Sequence, residues 1–169
     1  MSGSQVVMRV VFGSRKTIAG TVYGTIVVLT VLAAAGKAFE DDLWRLAAIV
    51  VVTVLVLWLA HVYSHGLGES LQLERRLDAA ELGAIARREL AIPLAAVAPT
   101  ALLVLGAVGV LRGRTAVWLA VGIGVATLGL QGLRYALLER LGRVGTLVSV
   151  AVNVALGLAI VAVKVLIVH

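Results

Sequence analysis

The chain has 169 residues, 61% of them hydrophobic and 14% charged, with a formal net charge of +6 and a mean hydropathy of +1.06. A soluble domain carries about 45–50% apolar and about 25% charged residues, so an ordinary water-soluble globule is excluded. With no cysteine, disulfides, thiolate metal sites and cysteine nucleophiles are excluded too.

The Lys and Arg residues flank apolar runs instead of gathering on one soluble face. That placement argues against nucleic acid as a partner and for a role in membrane topology. A helical span needs about 20 mostly apolar residues to cross about 30 Å of hydrocarbon, so the length accommodates at most about six spans.

In chain order, a short leader carries Arg9, Arg15 and Lys16 ahead of the first uncharged run, 18–35. Within it, Gly20-x-x-x-Gly24 suits close helix packing. The basic leader and Ala33-Ala34-Ala35 also fit a cleavable signal peptide, which would leave four helices. A polar turn with Gly36, Lys37 and Glu40-Asp41-Asp42 leads to the second run, 43–65.

The segment 67–89 is charged but helically patterned. Asp78-Ala-Ala-Glu81 has the form of an N-cap with its reciprocal partner three residues on. Leu82, Ile85 and Leu90 form a loose apolar stripe opposed by Arg87, Arg88 and Glu89. Pro93 and Pro99 each remove a backbone donor early in the third run, 90–111, and favour kinks there. A bent helix lying on the membrane surface before entering it is the expected picture, with a solvated connector as the plainer alternative. The fourth and fifth runs are 115–133 and 146–168, and Gly122, Gly124, Gly129 and Gly132 give the fourth a groove for close helix approach.

Backbone polar groups find no water in the bilayer, so all five runs are predicted helical. The expected fold is an all-α membrane protein, a five-helix transmembrane bundle with a cytoplasmic surface helix between the second and third spans. Orientation follows the bias of Lys and Arg in short loops. One side collects Arg9, Arg15, Lys16, Arg75, Arg76, Arg87, Arg88, Arg134, Arg140 and Arg143; the other collects Lys37, Arg45, Arg112, Arg114 and Lys164. The richer side is predicted cytoplasmic, with the N-terminus inside and the C-terminus outside a plasma membrane. Trp44 and Trp118 fall at the outer ends, where indoles favour the interface.

Polar groups inside a bilayer are costly, so their positions are informative. At about 1.5 Å per residue, Thr21, Tyr23 and Thr25, then Trp58, His61, Tyr63 and His65, then Gln131, Arg134 and Tyr135, and finally Asn153 all fall in the inner half. The candidate polar cavity is built from Tyr23, His61, His65, Gln131, Arg134 and Asn153; packing glue between helices is the bland alternative.

His61, His65 and Glu69 share one helix stripe at four-residue spacing. A metal would need further ligands from elsewhere and a haem needs facing axial ligands, so neither a metal nor a cofactor is expected. Arg134 is expected to pair with Glu69 or Glu139 across the inner interface or to snorkel, with an anion held beside Gln131 as the alternative. Ser149 has no base at useful spacing, and no phosphate-binding glycine pattern occurs, so an enzyme is not expected.

The stretch Trp58-Leu-Ala-His61-Val-Tyr63-Ser-His65-Gly-Leu-Gly-Glu69, the Ala-Arg-Arg-Glu-Leu segment ahead of Pro93, and the ending Leu-Gly-Leu-Ala-Ile-Val-Ala-Val-Lys164-Val-Leu resemble small actinobacterial integral membrane proteins. The resemblance spans most of the chain, implies an envelope location and carries over no site residue. The expected function is a small transport or channel-type protein for an ion or solute. Its expected partners are the lipid bilayer and further copies of itself, since five spans are few for a path within one protomer. An accessory protein packing against an envelope partner is the rival expectation.

Overall fold

The computed structural model describes residues 15–167, with side chains for 17–163. Residues 1–14, Arg9 among them, the side chains of Arg15, Lys16 and Lys164, and the last residue of the expected fifth span lie outside the described residues.

Among the described residues the regular structure is helical throughout: α1 Arg15–Ala35, α2 Leu43–Gln72, α3 Ala79–Arg88, α4 Ala91–Leu94, α5 Val97–Ala107, α6 Gly113–Leu138 and α7 Arg143–Ile167. Four helices, α1, α2, α6 and α7, are long and apolar enough to cross a membrane. A fifth crossing exists if the bent stretch from α3 to α5 is one span.

Local chemistry explains several boundaries. Asp42 caps α2 by accepting a hydrogen bond from the Arg45 backbone N–H at 3.1 Å. The 30 residues of α2 extend about 45 Å at about 1.5 Å per residue, so the helix runs unbroken past the expected span end at residue 65 to Gln72. Asp78 and Glu81 form the anticipated capping box: the Glu81 N–H donates to Asp78 Oδ1 at 2.8 Å, and the Asp78 N–H donates to Glu81 Oε2 at 2.9 Å.

The expected third span departs most from a simple helix. It is broken at 89–90 and again at 95–96, and its two limbs meet at a bend of 49°. Each proline deprives the carbonyl four residues earlier of its helical donor; for Pro93 that carbonyl is Glu89, and for Pro99 it is Ala95. Both breaks fall where those donors are missing. The Glu89 carbonyl accepts from the Ile92 N–H at 3.0 Å instead.

Glycines place this irregular segment. A side chain on Gly20 would touch Ala91 Cβ at 3.0 Å, and one on Gly24 would collide with the Ile92 carbonyl oxygen. The Gly20-x-x-x-Gly24 face is therefore where α1 receives the short α4.

The same contacts fix helix directions. Val117 faces Gly36 and Leu29 faces Gly124, so α1 and α6 run antiparallel. Val154 faces Gly129, while Ser149 and Asn153 face Gly132, so α7 is antiparallel to α6 as well. Leu43 at the start of α2 faces Gly106 near the end of α5. The core between these helices is aliphatic, with Val28, Leu29, Leu46, Val50, Leu103, Ala116, Ala120 and Leu128 all buried.

Of the four glycines in the expected α6 groove, Gly124, Gly129 and Gly132 meet neighbouring helices, but Gly122 has open space around it and faces outward.

Candidate functional site

The direction and register of the helices bring polar residues to one depth. Since Leu29 is opposite Gly124 and Gly36 opposite Val117, residue 131 on α6 stands level with residue 22 on α1. Asn153 meets Gly132, and the rings of Tyr23 and His61 are 4.7 Å apart. The structure nevertheless divides the six candidate residues into two groups.

Tyr23, His61 and His65 line a cleft of about 630 Å³, bounded by α1, α2 and the α3–α4 segment. Four-residue spacing puts His61 and His65 on one face of α2, with ring centroids 5.9 Å apart in an edge-on arrangement. Three cross-links join α2 to the α3–α4 segment. His65 Nδ1 lies 2.9 Å from Glu89 Oε1, and Arg88 Nη1 donates to Glu69 Oε1 at 3.2 Å. Deeper in, the Trp58 indole N–H donates to the Ala86 carbonyl at 3.2 Å.

Ala19, Gly20, Ile85 and Ile92 supply an apolar lining. The buried Ile85 and half-exposed Leu82 pack toward Gly66 of α2, which seats α3 against the end of that helix. Glu89 marks the first break in the third span, so the proline-induced irregularity is what carries its carboxylate to His65.

Gln131, Arg134 and Asn153 do not line this cleft: Gln131 and Arg134 bond each other along α6, and Asn153 faces Gly132 in the α6–α7 seam. Gln131 is only 3% exposed and accepts from Arg134 Nη1 at 3.4 Å. Ser149 Oγ donates to the Gly132 carbonyl at 2.8 Å, and Asn153 Nδ2 donates to the Ser149 carbonyl at 2.9 Å. Arg134 Nε is buried without a partner among the described residues. The expected pairing of Arg134 with Glu69 is not formed, because Glu69 is engaged by Arg88 on the other side of the cleft.

The connector beyond Gln72 is also ordered. Arg75 forms a two-point bond with Glu81 at 3.0 and 2.6 Å. Those hydrogen bonds, together with the one from the Asp78 N–H, hold the Glu81 carboxyl down at about 2. The same carboxylate raises Arg75 above its ordinary value.

Glu69 was visible in the sequence as the third member of the His61–His65 stripe. Arg88 and Glu89 belong to a charge run, and such runs are ordinarily solvated faces. Among the described residues no three His, Cys, Asp or Glu side chains converge as a metal-ligand set. A second groove, about 390 Å³ between α2 and the broken span, is almost wholly apolar; its one buried polar atom without a partner is Thr100 Oγ1.

The chain matches no protein-family model, no curated protein and no solved structure.

Proposed function

We propose that this chain is a multi-pass plasma-membrane protein of transport or channel type, with the cleft between α1, α2 and the α3–α4 segment as its solute site. The observation behind this reading is the cleft itself. Two histidines, a tyrosine, two carboxylates and an arginine surround about 630 Å³ of space, at the end of helices long enough to cross a bilayer. Small-molecule sites are of about 300–1,000 Å³ with a few convergent polar groups.

The Lys and Arg bias favours the cleft on the cytoplasmic side, the N-terminus inside and α3 at the inner surface. The resemblance to small actinobacterial membrane proteins supports an envelope location. We take α1 to be retained, since Val28, Leu29 and Leu32 are integral to the core. A homo-oligomer supplies the rest of the path, because one protomer offers few spans for it.

The test uses proteoliposomes containing the full chain, with rubidium, chloride and choline as probes. Flux of one probe is expected. Replacing His61 and His65 together by leucine should abolish that flux and preserve insertion, whereas Asn153→Leu, in the seam, should spare it. Unchanged flux in the double histidine variant overturns the reading.

The rival role, an accessory protein, draws on α7, of which only 6% of the apolar window is buried. Purification in mild detergent separates the two. A homo-oligomer supports transport, and a stoichiometric heterologous membrane protein on α7 supports the accessory role.

A further inference from the structure

The geometry points to a monovalent organic cation as the ligand of this cleft, its charged head between Glu69 and Glu89 and its apolar body against Tyr23 and His61. The inference rests on the cleft being a solute site and adds the class of solute.

Charge is the first argument. Among the described residues that line the cleft, two carboxylates face one fixed cation, Arg88. With histidine neutral the site carries one net negative charge. Each carboxylate spends only Oε1 on its protein partner, Glu69 on Arg88 and Glu89 on His65. Neither Oε2 has a hydrogen bond among the described residues, so both remain as acceptors. An anion would find Arg88 already turned on Glu69 and two carboxylates beside it.

Shape and surface make the second argument. The cleft is far larger than a bare metal ion requires, and no metal-ligand set forms there among the described residues. Its wall combines the Tyr23 ring, tilted against His61 at 4.7 Å, with Ala19, Gly20 and Ile92. An aromatic face beside partly desolvated carboxylates is the usual means of holding an ammonium group.

Calorimetric titration of the full chain in detergent micelles tests this directly. The probes are benzyltrimethylammonium and, as an anion of similar shape, phenylmethanesulfonate. The cation should bind at least about tenfold more tightly. Glu89→Gln and Glu69→Gln should each weaken cation binding. Tyr23→Ala should weaken it about tenfold, while Tyr23→Phe keeps it, with thermal melting of each variant confirming the fold. Equal or tighter binding of the sulfonate, or cation affinity unaffected by both Glu89→Gln and Tyr23→Ala in folded protein, overturns the inference. If the cation binds and no probe crosses proteoliposomes, transport fails and the inference stands. If chloride alone crosses, transport stands and the inference fails.

Discussion

The cleft and the α6–α7 seam lie at one depth and hold similar side chains, yet they are built in opposite ways. In the seam, Gly129 and Gly132 let α7 approach until the Ser149 hydroxyl bonds the Gly132 carbonyl directly, while Asn153 turns back to the Ser149 carbonyl of its own helix. There the Ser149 hydroxyl acts as interhelical glue. In the cleft, two prolines break the third span, and Gly20 and Gly24 admit the broken segment to α1. The side chains there reach across open space to partners on other helices. The comparison teaches that a polar residue between helices becomes glue or site according to how closely the backbones approach.

The hardest blow to this contrast is a bulky residue at Gly24. Gly24→Leu drives a side chain into the Ile92 carbonyl. It should destabilise the fold by about 3 kcal/mol or more and displace the α4 segment that closes the cleft. Gly122→Leu, in open space, should change the melting temperature little. Equal melting of the two variants would refute the packing described.

Gly132→Ala puts a methyl group 2.7 Å from the Ser149 carbonyl oxygen and 3.0 Å from Asn153 Nδ2. A loss of about 1–3 kcal/mol is expected, confined to the seam, so that ligand binding in the cleft is unaffected. Detergent melts together with calorimetry separate the two effects.

Ser149→Ala removes a single interhelical hydrogen bond and should cost about 0.6 kcal/mol, the average for such contacts. A loss several times larger would make the seam more than glue.

The smallest effect concerns the connector. Since Arg75 and the Asp78 N–H lower the Glu81 carboxyl to about 2, the pair's contribution is whole above the ordinary carboxylate value of 4.5. It drains as pH falls through about 2. Amide exchange across residues 73–81 should therefore accelerate between pH 5 and pH 2.5, beyond the intrinsic change. In Glu81→Gln that added acceleration should be absent.

Much of this was legible in the residues. Hydropathy located the four long helices, and Asp78 with Glu81 announced the start of α3. Pro93 and Pro99 foretold an irregular third span, and Gly20 with Gly24 foretold a close contact. Each of these is a local property, a sum of transfer energies or a backbone donor present or absent within a few residues. The partners of the candidate site were not legible. His65 meets Glu89, Glu69 meets Arg88 instead of Arg134, Gln131 bonds Arg134 on its own helix, Asn153 faces Gly132 in the seam, and Gly122 turns away. Those outcomes depend on helix rotation, on the bend of 49° and on which helix fills which groove, and such terms arise only when distant segments pack.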